Sequence, residues 1–92
     1  MNVQDLMDTY RDALLAAALL APSSEKSLYA LHEKGLGRLT QLIQSGAPAN
    51  EIASLVANER RAFGWSFLSG EHGTRVESAF HALASHLEAM CA

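Results

Sequence analysis

Ala13-Leu14-Leu15-Ala16-Ala17-Ala18-Leu19-Leu20-Ala21 contains no polar side chain. A helix that is apolar all round cannot lie on the surface of a monomer with one side in water. It must be buried between other elements, covered by another molecule, or lodged in a membrane. Flanks and length separate these cases. Asp5, Asp8 and Asp12 precede the run against Arg11 alone, whereas an export signal carries net positive charge there. The run also falls far short of the ~20 residues that span a bilayer. The expected setting is a cytoplasmic helical protein in which this helix has more apolar surface than its own core uses.

The rest of the chain agrees with helix. Alanine and leucine supply 30 of the 92 residues. Only Val3, Thr9, Thr40, Ile43, Ile52, Val56, Thr74 and Val76 are β-branched, which leaves little from which to build a sheet. The length suits one domain with one core, over residues 1–92. The formal charge of −3 gives no basic stripe for a phosphate backbone. The lone Cys91 has no internal disulfide partner, as in a reducing compartment.

Punctuation divides the chain into four helices, at about 3–21, 24–45, 48–68 and 74–90. Pro22 stops the first, and Ser23 or Ser24 can cap the second. Gly46 suits the end of helix 2, and Pro48 suits the first turn of helix 3. Gly35 and Gly37 are expected to kink helix 2, split it, or admit a close neighbour. Ser69 to Gly73 reads as a loop, and Thr74-Arg75-Val76-Glu77 as a capping box.

At about 100° per residue, each helix shows an apolar stripe. Helix 4 has Val76, Phe80, Leu83, Leu87 and Met90. Helix 3 has Ile52, Leu55, Val56, Phe63 and Phe67. Helix 2 has Leu28, Leu31, Leu39, Leu42 and Ile43. Helix 1 has Leu6, Tyr10, Leu14, Ala17 and Leu20. The expected fold is all-α, a small antiparallel four-helix bundle.

Two helices carry a second apolar face. Leu15 and Leu19 lie opposite the helix 1 stripe, and Trp65 and Leu68 lie away from Phe63. With Arg61 as a basic rim, these residues form the expected partner-binding surface, for a second copy (a homodimer) or another protein. The corresponding function is a small non-enzymatic interaction module: an adaptor, an inhibitor or immunity-type protein, or an assembly subunit.

Two titratable residues sit inside stripes. Glu59 falls between Leu55 and Phe63, and His32 between Leu28 and Leu39. A buried carboxylate is costly unless paired or protonated. The alternative function is therefore a bundle that holds a small ligand or metal in its core through His32 and Glu59, with Tyr10 nearby. Glu59 can also be satisfied structurally, by Arg38 or Arg60. Glu77 and His81 are one turn apart, a spacing commoner in helix-stabilising pairs than in metal sites. No H-E-x-x-H, phosphate loop, C-x-x-C or nucleophile elbow occurs, so no catalytic residues and no cofactor are assigned. Residues 39–55 resemble the first half of a DNA-binding helix-turn-helix, but Val56 to Arg61 continue as helix where that motif would turn.

Overall fold

The computed structural model describes residues 2–65, 68 and 70–91; the side chains of Trp65 and Cys91 fall outside that description, as do Ser66 and Phe67. The chain forms four α-helices: α1 (Val3–Leu20), α2 (Lys26–Gln44), α3 (Ala49–Trp65) and α4 (Gly70–Cys91). There is no strand among the described residues. Short connections make sequential helices antiparallel. Helix α1 packs on α2 and α4, and α3 packs on the same two, so α1 and α3 are diagonal in the bundle.

Local chemistry sets most of the boundaries. Asn2 caps α1, its side chain accepting from the Asp5 backbone N–H at 2.9 Å. Pro22 ends α1, but neither serine after it caps α2. Ser23–Glu25 instead forms a 3₁₀ turn, with the Glu25 N–H donating to the Pro22 carbonyl at 2.9 Å. At the far end of α2, Gly46 takes φ +70° and Ala47 N–H donates back to Leu42 at 2.9 Å. Pro48 immediately precedes α3, and its carbonyl accepts from Glu51 and Ile52.

Three expectations are corrected. Helix α2 is not split, because it runs unbroken through Gly35 and Gly37. Helix α4 begins at Gly70, a full turn before the predicted start. Thr74 therefore lies inside the helix, where its hydroxyl donates to the Gly70 carbonyl at 3.2 Å. A capping box needs its first residue at the helix boundary, so this one does not form. Helix α3 is described over Ala49–Trp65, and Leu68, the predicted last residue, is not helical.

The core comprises Leu6, Met7, Tyr10, Leu14 and Ala17 of α1, with Tyr29, His32, Leu36 and Leu39 of α2. Helix α3 adds Val56 and Phe63, and α4 adds Val76, Phe80, Leu83, Ala84 and Leu87. The predicted stripes hold on α1 and α4 except at their ends, and on α2 the inward side passes through Tyr29 and Leu36 instead of Leu31. Leu20, Leu31 and Met90 are exposed at 67%, 54% and 63%.

The early start of α4 has a packing consequence. Gly73 is buried, and a Cβ there would lie 2.5 Å from the Leu68 carbonyl oxygen and 2.6 Å from its carbon. Alanine normally gains about 1 kcal/mol over glycine inside a helix. Here the obstacle is backbone, and overpacking costs about 1–3 kcal/mol. Gly73→Ala should therefore be neutral to destabilising by urea unfolding. Gly64→Ala in α3, where a Cβ meets nothing within 4 Å, should stabilise by about 0.5–1 kcal/mol. Equal gains at both positions would contradict this packing.

Candidate functional site

Each helix sends one ring to the centre of the bundle. His32 of α2 stacks on Phe63 of α3, with centroids 4.0 Å apart and planes at 14°. Phe63 stacks in turn on Phe80 of α4 at 4.4 Å and 22°. Tyr10 of α1 tilts onto both phenyl rings, at 6.3 Å from Phe63 and 5.6 Å from Phe80. The stripe positions bring these residues together: periodicity turns each ring inward, and the bundle places them at one level.

Glu59 closes the cluster. Its Oε2 lies 3.7 Å from His32 Nδ1, with the imidazole fully buried and the carboxylate side chain 14% exposed. That separation is coulombic contact, longer than a hydrogen bond. The carboxylate lies against the Cα of Gly35, where any Cβ would overlap it. Gly35 is thus the close-approach glycine of α2, and what approaches is a side chain of α3. The Tyr10 hydroxyl is buried with no hydrogen-bond partner among the described residues. Burial, and secondly the charge of Glu59, raise the Tyr10 phenol above its usual pKa. His32 and Glu59 therefore do meet, with Tyr10 within reach of the carboxylate's charge. The cluster keeps the Tyr10 phenol neutral.

Neither arginine proposed for Glu59 is seen to take it. Arg60 reaches across to α4, where Nε and Nη2 donate to the two carboxylate oxygens of Glu88 at 3.1 and 2.5 Å. The same guanidinium donates to His81 Nδ1 at 3.0 Å. Arginine has no acceptor, so His81 accepts at Nδ1. The hydrogen bond to Arg60 is the largest cause lowering the Glu88 pKa, and the bond to Glu88 likewise raises that of Arg60. This cross-helix network had no signal in the sequence, because wheel positions do not say which helix is the neighbour.

The predicted partner face divides. Leu15 and Leu19 are 51% and 83% exposed on α1. Arg61 is exposed on α3, with its guanidinium donating to Asn58. Since α1 and α3 are diagonal, their outward faces point apart and do not make one surface. Leu68 is half-buried and packs against the core, so it is not a free anchor. The Trp65 side chain lies outside the described residues. A groove of about 310 Å³ runs between α1 and α2, with Leu14, Leu15, Leu36 and Gly37 as its apolar part and Arg11, Glu33 and Thr40 as its polar part. Among the described residues no group of three His, Cys, Asp or Glu is placed to hold a metal ion, and no helix is long and apolar enough to cross a membrane.

The class these features define is a helical bundle with a polar residue pair in an aromatic core and leucines exposed beside a groove. No family model, curated protein or solved structure matches the chain.

Proposed function

We propose that this chain is a small non-enzymatic protein–protein interaction module whose working surface is the α1–α2 face. The observation that carries the proposal is the pair Leu15 and Leu19, 51% and 83% exposed one turn apart beside the α1–α2 groove. Full burial of a leucine is worth about 1.5–3 kcal/mol, of which Leu15 forgoes about half and Leu19 most. Apolar side chains bordering a concave strip are what a partner surface covers. Adaptor, inhibitor or immunity-type protein, and assembly subunit are the roles that suit such a face. A ligand or metal at His32 and Glu59 has less support, because Phe63 already covers the imidazole at stacking distance. The net charge of −3 favours a protein over a nucleic acid as partner.

A photo-crosslinking amino acid at position 19, with position 54 on exposed α3 surface as control, tests this in the cell of origin. The expected result is a discrete protein adduct from position 19 and none from 54. No adduct from 19 above the control level overturns the reading.

A further inference from the structure

We infer that the α1–α2 face is self-complementary, and that its occupant is a second copy of this chain related by a two-fold axis parallel to the helices. This rests on the interaction reading above and names its partner. The face has two unlike strips. On α1, Leu15 lines the groove and Leu19 follows one turn later, giving an apolar ridge. On α2, Gly37 lines the same groove, and a Cβ there would meet nothing within 4 Å. Ala30, two turns before it, shares that side and is exposed. These two small residues are the low points of the α2 strip, a trough interrupted by the side chains of Glu33 and Lys34 between them.

A ridge and a trough side by side are what an isologous contact needs. In a face-to-face pair, an axis along the helices lays α1 of each copy over α2 of the other. Groove neighbours then set the register. Leu14 and Leu15 lie beside Leu36 and Gly37, and antiparallel counting brings Leu19 level with residues near Ala30. The leucine ridge of each copy therefore falls between Ala30 and Gly37 of the other.

Charge selects the same operator independently. The outer edge of α1 is acidic, with Asp5 and Asp12 exposed. The outer edge of α2 is basic, with Lys34 and Arg38 exposed. An axis along the helices sets acid over base twice. An axis across them sets acid over acid and base over base. By the antiparallel count, Asp12 and Arg38 come to the same level.

The area bounds the strength. Helices of about 27 Å, two side by side and about 20 Å wide, bury about 1,100 Å² in total. That is at the low end of specific interfaces, the size of weak and transient contacts.

Sedimentation velocity of the full chain tests the inference, from about 1 to 200 µM, a range in which weak and transient interfaces assemble. Wild type should reach twice its 9.9 kDa mass. Leu19→Asp should weaken association by about tenfold or more, with its helical circular dichroism unchanged. Asp12→Lys and Arg38→Glu should each weaken self-association, while a 1:1 mixture restores the dimer, because every edge contact is again between opposite charges. A wild type that stays monomeric throughout the range overturns the inference, as does a mixture no more associated than its components. If the chain is monomeric but position 19 crosslinks to a different protein, self-docking fails and the interaction reading stands. If it is monomeric and position 19 captures nothing, both fail.

Discussion

Phe80→Ala should lower the free energy of unfolding by about 3–5 kcal/mol, the largest loss expected from a single side chain here. Phe80 is 1% exposed, and its ring touches one ring from each of α1 and α3. Truncation removes the transfer energy of the ring and leaves a cavity. It also removes two aromatic contacts, each worth about 0.5–1.5 kcal/mol beyond the area buried. The His32–Phe63 stack loses its support from α4. A domain of this size has a total stability of about 5–14 kcal/mol, so the variant should be partly unfolded or close to it. Urea unfolding measures the change, and Phe80→Leu should recover more than half of it. The exposed Met90 closes the same stripe, and Met90→Ala should fall within about 0.5 kcal/mol of wild type. Similar losses at the two positions would mean that the ring stack is not the centre of the fold.

The contrast between Phe80 and Met90 marks what periodicity can and cannot convey. A step of 3.6 residues identified the inward side of α4 from Val76 to Leu87, because burial recurs with the helix turn. It could not say where the neighbouring helices stop. Helix α4 has 22 residues against 18 in α1, a difference of about 6 Å. Its last turn overhangs, and Met90 is left in water. Gly35 was ambiguous for a similar reason. One glycine costs a helix only about 1 kcal/mol, too little to break α2. Its purpose appears only when Glu59 is seen against its Cα. The capping-box pattern at Thr74 was a strong local signal, and tertiary packing overrode it: the turn before it is helical and holds Gly73 against Leu68. The meeting of His32 and Glu59, with Tyr10 nearby, was legible because all three occupy inward positions on their wheels. The division of the partner face was not. Periodicity gives each helix an apolar side but no neighbour, and only the diagonal placement of α1 and α3 separates Leu15 and Leu19 from Arg61.

Raising the pH above 10 should destabilise the chain through its buried phenol. The unfolded Tyr10 ionises near 10.0. In the folded chain its pKa is raised, first by burial and then by the charge of Glu59. The native state therefore keeps a proton that the unfolded chain releases. The stability that this difference protects is fully present below pH 10. It then falls by up to about 1.4 kcal/mol for each further pH unit, until the folded phenol itself ionises. Burial and Glu25 push Tyr29 in the same direction. Urea unfolding should show stability falling between about pH 10 and 12, and the Tyr10 tyrosinate absorbance should appear only as helix is lost by circular dichroism. The chain has two tyrosines. Half of the tyrosinate signal appearing near pH 10 with helices intact, and absent from Tyr10→Phe, would show that Tyr10 reaches solvent. Tyr10→Phe removes this titration and should move the alkaline midpoint upward. It also removes a buried hydroxyl with no described hydrogen-bond partner. At neutral pH the variant should thus match wild type or exceed it by about 1 kcal/mol. A loss of that size instead would mean that the hydroxyl is bonded in solution.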